Sequence, residues 1–427
     1  MSNTHSQSRH NTNQVSLLLR ATECSFSMLV LVLVSPLMAI NALLAVLRGE
    51  NVTKEQHKID ALGRRVTFKH FNCGVLKSSP VLWQVLKGDL HFCGATCEHR
   101  VSNDTLSRLD SKKLPSGLVS LHALHSRSGL AISCPDSLYQ KQAAMSSLKL
   151  TGLLVRFAFN AVFYRSDELA SPARLPLYGL NINNTQMEKA IAWFTDGTFF
   201  RGIKRSSLNL QRPKISFFVN ANSVNLAQRN PEFKAALKKA DCLFGDGSGI
   251  RVAARSRQLK LLDNINGTDV LPLLCKAMQQ QNKRLFLLGA KPGIAQKMAD
   301  NMKKLFPELE ISGVQHGYFA PSQNNDIIQH INSSKTDVLL VAQGSPLQET
   351  WVIDNAAKLD CESVLAVGGL FDFYSGEITR APMWMRETGL EWVWRLMQEP
   401  VTKFNRYVIG VPEFMFRTFV LKQANQE

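Results

Sequence analysis

The chain is 427 residues long, 45% hydrophobic, and carries 50 Lys and Arg against 34 Asp and Glu, for a formal net charge of +16. The length is too great for one ordinary core and calls for two domains plus tails, while the apolar content excludes a wholly disordered chain. The basic excess suits nucleic acid, anionic lipid or a polyanionic substrate; no nucleic-acid motif accompanies it, so no nucleic-acid partner is expected. Eight cysteines without CxxC pairs indicate neither a zinc ribbon nor a disulfide framework, and fit a reducing cytosol. Cys93, Cys97, His99, His122 and His125 match no standard ligand spacing, and no metal site is expected from them.

Residues 1–25 are polar, rich in Ser, Asn, Gln and Thr, and read as a disordered tail. Ser27 to Leu47 then runs without a charged residue and ends at Arg48, about the length that spans a bilayer core. It lies too far from Met1, and lacks the small-residue cleavage site, for a cleavable signal peptide. Pro36, after Ser35, falls mid-run, where it would break or kink a helix, so the segment either crosses the membrane or enters and leaves the same leaflet. A buried core helix is the soluble alternative. The rest of 26–165 has weak periodicity, and its basic stretch Lys58 to Lys69 suits anionic headgroups.

Residues 166–174 (SDELASPAR) read as a linker. In 175–379, apolar strands are expected at Ile215–Val219, Cys242–Phe244, Arg284–Leu288, Glu310–Gln315, Asp337–Val341 and Ser363–Val367, alternating with helical patterns. That alternation predicts an α/β domain, a Rossmann-like parallel sheet with helices on both faces. Residues 380–427 are helical, aromatic and basic, an appendage that either packs on the core or lies on a membrane surface.

The stretch Ala240 to Ile250 sets a carboxylate, Asp246, inside a glycine turn between a strand and a helix. Glycines 245, 247 and 249 permit tight backbone conformations, and the helix start favours anionic groups such as diphosphates. Asp246 as a simple helix cap is the bland alternative. Other polar residues and glycines also follow strands: Asn220, Gly289, His316-Gly317-Tyr318, Gln343 to Gln348 and Gly368 to Asp372. In a parallel sheet these share one edge and can converge on one pocket. GAKPG at 289–293 lacks both the dinucleotide and the P-loop spacing. No Asp-x-Asp pair occurs, so protein cations are expected to neutralise a leaving diphosphate.

Two resemblances follow. The run with Ser35-Pro36, LGRRVTFKHF (62–71), PVLWQVLKGDL (80–90), LPSG (114–117) and SSLKLTGLLVRFAFNAVFYR resemble the small monotopic phosphoglycosyl transferases of bacteria. Where those enzymes carry an Asp-Glu dyad this chain has Lys77 and Ser78, which cannot replace a carboxylate nucleophile, and their Gly-Pro-Arg-Pro element reads Gly94-Ala95-Thr96-Cys97. Residues 26–165 are therefore expected to be a catalytically inert membrane-anchoring domain.

From Leu177 to Tyr407, the ordered motifs FFVNANSVNLA, KADCLFGDGSGI, NINGTD, LFLLGAKPG, GVQHGYF, AQGSPLQETW, AVGGLFDFYSGEITRAP and GLEWVWRLMQEP resemble the bacterial glycosyltransferases typified by WecG, TagA and CpsF. The resemblance implies a metal-independent, inverting transfer of a sugar, commonly N-acetylmannosamine-type, from a UDP-sugar to a polyprenyl-diphosphate-linked acceptor. It implies no cofactor, a place on the cytoplasmic face of the bacterial inner membrane, and other polysaccharide assembly enzymes as partners; homo-oligomerisation stays open. Residue by residue, Asp246 matches the general base, and Asn220 and Gln348 match polar residues near the transferred sugar. Gly247, Gly289 and Gly317 belong to the same substrate-binding turns. Tyr318 matches a residue on the uracil face, Asp372 one holding the ribose hydroxyls, and Arg395 and Arg406 the appendage arginines near the diphosphate. Phe218, where the family often has Thr, and Asn264, where many members have Arg, depart from the pattern beside the expected sugar pocket. The alternative from another class is a non-catalytic scaffold that binds a UDP-sugar or the lipid acceptor and recruits a partner transferase; a nicotinamide dehydrogenase lacks its fingerprint glycines.

Overall fold

The computed structural model describes residues 4–73, 76–97, 100–102, 104–105, 114–130, 134–164, 169–201 and 212–422, the side chains of 4–18 and 161–164 excepted. Residues 166–168 of the expected linker and His99 lie outside the described residues. The chain divides into two compact units, one of residues 1–127 and 132–162, the other of 128–131 and 163–427.

The first unit opens with one helix, Thr4–Leu47. The tail expected to be disordered continues this helix back to Thr4. No Gly or Pro falls between Thr4 and Ser35, and a helix once nucleated in the apolar run extends at little cost per residue. Pro36 does not interrupt it. Proline lacks the amide that would bond the carbonyl of Val32, and the Ser35 hydroxyl donates to that carbonyl instead, at 2.8 Å. An antiparallel hairpin of β1 (Thr53–Ile59) and β2 (Arg65–Phe71), a helix Pro80–Lys87, and a short parallel pair of β3 (His91–Cys93) and β4 (Gly117–Val119) follow. Helices Pro135–Ala143 and Ser147–Tyr164 complete the unit.

The second unit is built on an eight-stranded sheet. Its strands are β5 (Arg174–Leu177), β6 (Leu180–Asn183), β7 (Lys214–Val219), β8 (Cys242–Gly245), β9 (Arg284–Gly289), β10 (Glu310–Gln315), β11 (Val338–Ala342) and β12 (Ser363–Ala366). Their order is β10-β9-β11-β12-β7-β8-β6-β5, parallel throughout except for β5 at the edge. Side chains alternate into two cores, one on each face. Ile215, Phe217 and Val219 of β7 join Phe286, Leu288, Leu339, Val341 and Val364 in one, while Phe218, Leu285, Leu287, Leu340 and Leu365 enter the other. Both faces being covered, the strands read as continuous apolar runs. The six strand segments expected between Ile215 and Val367 all form, each within a residue of the expected bounds. The β5–β6 hairpin was not foreseen. Its two-residue turn, Tyr178-Gly179, takes positive φ at both positions (57° and 74°), and Tyr178 does not announce such a turn as Asn or Asp would.

Candidate active site

Because β7 to β12 are parallel, every loop that follows them emerges at the same edge of the sheet, and the expected site residues lie there. Asn220 ends β7 and caps the helix Ala221–Arg229, its Oδ1 accepting from the Ser223 amide at 3.1 Å. That bond fixes the amide so that Nδ2 donates to Asp246 Oδ2 at 3.2 Å, across the β7–β8 pairing. The Asp246 amide in turn donates to Val219 O at 2.8 Å. Asp246 therefore follows β8 in a turn held from both sides. It does not cap the following helix Ser248–Ser256; Gly247 does, with φ of 86° and its amide donating to Asn264 Oδ1. Only a residue free of a side chain adopts that φ without strain. Asn264 thus acquires a role: it is an acceptor for the turn, which an arginine could not be.

Burial pushes the Asp246 carboxyl up to about 6. The Asn220 bond and the Arg406 charge pull it down, while Glu391 and Asp269 push it up. A carboxylate poised near the working pH, largely buried at the sheet edge, has the profile of a general base.

Arg406 lies in a π-helical turn, Asn405–Ile409, its guanidinium 5.3 Å from the Tyr407 ring and its Nε buried without a hydrogen-bond partner among the described residues. Burial raises the Tyr407 hydroxyl; Arg406 and Arg395 oppose this and Asp246 adds to it, so these four side chains share one electrostatic environment. Arg395, on the helix Glu391–Gln398, bonds Asp372 Oδ2 at 3.3 Å and Glu399 at 2.7 Å and stacks on Phe373. Its Nη1 is buried without a partner among the described residues. Both arginines keep a donor uncommitted, as recognition of an anionic group requires.

Gln348 behaves differently from the expectation of a residue near the sugar. It is 3% exposed, and its Oε1 accepts from Gly344 N at 3.2 Å and Gly368 N at 3.0 Å while Nε2 donates to Glu349 at 2.9 Å. Its amide is spent on tying the loop after β11 to the loop after β12. Glu349, 1% exposed and pushed up by burial, also accepts from the Ser345 hydroxyl at 2.7 Å and fixes which way the Gln348 amide points.

Gly289 and Gly317 meet at the far end of the edge. A Cβ on Gly289 would stand 2.5 Å from Ala342 O, and one on Gly317 would stand 3.1 Å from the Gly289 Cα. Tyr318, 68% exposed, follows β10, five strand positions from β8 and so roughly 24 Å across the sheet at ~4.8 Å per strand. The structure thus gathers Asp246, Asn220, Gly247, Arg406, Arg395 and Asp372 around the β12–β7–β8 edge and sets Gly289, Gly317 and Tyr318 apart at the β9–β10 end.

Phe218 is no pocket residue: it is 7% exposed and packs with Phe194 and Phe244 in the core. Asp269, unmarked by the sequence reading, accepts from Arg380 at 2.7 Å and Arg386 at 2.9 Å and clamps the C-terminal segment to the helix Gly267–Gln280. Further along, Ser248 bonds Gly389 O, Asn225 bonds Gly410 O, and Phe414 is buried against Tyr178. The appendage packs on the domain, and its outer side still exposes Met397, Val401, Phe404, Ile409, Phe416 and Val420. Among the described residues no group of three His, Cys, Asp or Glu is placed to hold a metal ion.

A family model described as "Glycosyl transferase WecG/TagA/CpsF family" matches residues 175–427. The chain belongs to that family. A relative from Bacillus spizizenii named N-acetylglucosaminyldiphosphoundecaprenol N-acetyl-beta-D-mannosaminyltransferase is 30% identical over 215 residues, half of this chain and 81% of the relative. The protein is a glycosyltransferase, and its second unit contains the matched region. A glycosyltransferase must deprotonate an acceptor hydroxyl and stabilise a departing anion, and the Asp246–Asn220 pair and the two arginines supply groups of those two kinds.

Proposed function

We propose that this glycosyltransferase moves an N-acetylmannosamine-type sugar or related hexose, with inversion and without a metal, from a UDP-sugar to a sugar carried on polyprenyl diphosphate. Asp246 takes the proton of the acceptor hydroxyl as its oxygen attacks the anomeric carbon from the face opposite the leaving UDP. Asn220 holds the carboxylate, and Arg406 and Arg395 meet the charge that develops on the diphosphate. Asp372, already hydrogen-bonded to Arg395, retains lone pairs for the ribose hydroxyls. The observation that carries the reading is the carboxyl raised to about 6 beside a fixed amide and a cation at the sheet edge. The relative's name supports the acceptor class and the sugar.

In the same reading the first unit is a catalytically inert anchor that keeps the enzyme on the cytoplasmic face of the inner membrane, where surface polysaccharides are assembled. Its Lys77 and Ser78 stand just before the helix Pro80–Lys87 and offer no carboxylate nucleophile.

The test is transfer of labelled sugar from a panel of UDP-sugars to polyprenyl-diphosphate-GlcNAc, read as label extracted with the lipid, with and without chelator. The proposal expects transfer from at least one donor at the same rate in both. No transfer from any donor alongside intact UDP-sugar binding would favour a scaffold, and transfer abolished by the chelator would overturn the metal-free mechanism.

A further inference from the structure

The helix Thr4–Leu47 leaves a long apolar side uncovered over Leu19–Leu47. The stretch Leu19–Leu47 has a mean hydropathy of 2.5 over its most apolar window, of which 11% is buried. The residues that the helix does bury against its own unit include Glu23, Ser27 and Asn41, with Ala45. They fall on one side of the helix, with the half-buried Val30, Leu31, Val34 and Met38 between them on that same side. The opposite side exposes Phe26, Leu29, Leu33, Ile40, Leu43 and Leu47, each more than half accessible. A soluble protein buries the apolar face of a helix; an uncovered apolar side of this length fits an apolar medium.

The inward side is fastened near both ends. At the start, Arg20 bonds the carbonyl of Leu86, Glu23 accepts from the Phe92 amide at 2.8 Å and bonds the His91 ring at 2.9 Å, and Phe26 meets Phe92 edge-on. Near the end, the Cys73 thiol reaches Asn41 O at 3.6 Å. Arg20 and Asn41 are about 30 Å apart along the axis at 1.5 Å per residue, as much as the hydrocarbon thickness of a bilayer. The parts they touch are joined by the hairpin, through Gln84 Nε2 to Thr67 O and Lys69 N to Gln84 Oε1. Every residue of β1 is exposed, Lys54, Glu55, His57 and Lys58 among them. A helix standing across the membrane would carry those charges into hydrocarbon.

We propose that Leu19–Leu47 lies along one membrane surface, its open apolar side in the acyl region, its fastened side toward the unit, and both its flanks in the same aqueous compartment. The occupant of the face is lipid, and anionic lipid suits it best, because Arg48, Lys54, Lys58, Arg65 and Lys69 are exposed at the end of the helix and on the hairpin. Trp83, 56% exposed on the neighbouring helix Pro80–Lys87, fits the headgroup level. The inference stands on the first unit alone and is independent of the proposed reaction.

The experiment uses the full chain in sealed vesicles of phosphatidylethanolamine and phosphatidylglycerol. One variant carries a specific protease site after Asn3 and another after Gly49, and a third carries both. Protease added outside cuts each molecule of the third at both sites or at neither if the helix lies on the surface; cutting at one site alone in the bulk of the molecules overturns the proposal. Spin labels introduced as unnatural amino acids at Phe26, Leu33, Ile40 and Leu47 separate a surface helix from a re-entrant one. The surface helix gives the same ratio of oxygen to water-soluble nickel quenching at all four. A maximum at the middle two, with the outer two shallow, contradicts it even when both flanks share a side.

Discussion

At the scale of single residues, the proposed chemistry turns on one ionisation. With Asp246 raised to about 6, the base form fills in as pH rises through that value, so the transfer rate should climb across pH 5 to 7 and then level. Asn220 and Arg406 both hold the carboxyl down; Asn220→Ala should therefore move the rising limb to higher pH, which a pH profile of kcat/KM reads directly. An unmoved limb with a merely lower plateau would give Asn220 a structural role only. The same ionisation strains the fold. An aspartate raised above its unfolded value contributes stability below the unfolded value and loses it as pH rises through the folded one. Asp246→Asn should accordingly raise the melting temperature at neutral pH, by the equivalent of roughly 1–3 kcal/mol at ~1.4 kcal/mol per pKa unit, and the gain should fade as pH falls toward 4.

At the scale of elements, the site depends on loops tied to one another. Gln348 joins the loops after β11 and β12, and Gln348→Ala leaves the Gly344 and Gly368 amides without their acceptor. We expect a loss of about 1–3 kcal/mol in urea denaturation, together with a fall in kcat, because both loops border the site. Asp269 is 8% exposed and serves two arginines. Asp269→Ala should cost roughly 2 kcal/mol, less than a fully buried pair because Arg380 keeps part of its surface in water, and should speed tryptic cleavage after Arg380. The strands at this edge were legible because a parallel sheet covered on both faces makes each strand an apolar run ending at a polar residue or glycine. The roles of Gln348 and Asn264 were not, since spacing says that a polar residue is at the edge but not whether its amide faces a ligand or a neighbouring loop. Asp269 was hidden for a related reason: its partners, Arg380 and Arg386, lie more than a hundred residues away. The Tyr178-Gly179 turn and the core place of Phe218 likewise depend on tertiary packing.

At the scale of the whole molecule, the two units supply what the proposed transfer to a lipid-linked acceptor needs: a sheet edge that gathers a carboxylate and cations, and a helix whose outer side is apolar. Sequence revealed the apolar run and the family of the second unit. It could not reveal which side of the run faces inward, because that side is defined by what packs on it. The apolar side leads to a prediction for the full chain. It should sediment with membranes and resist salt extraction, and replacing Leu29, Leu33 and Ile40 together by serine should release it, since none of the three supports the core. Retained secondary structure by circular dichroism would show that release is not unfolding. The measurement closest to the central claim is single-turnover transfer by the full-length Asp246→Asn variant beside binding of the UDP-sugar donor. A base at Asp246 means a rate lowered by at least about a hundredfold with donor affinity unchanged; transfer at the wild-type rate would rule that role out.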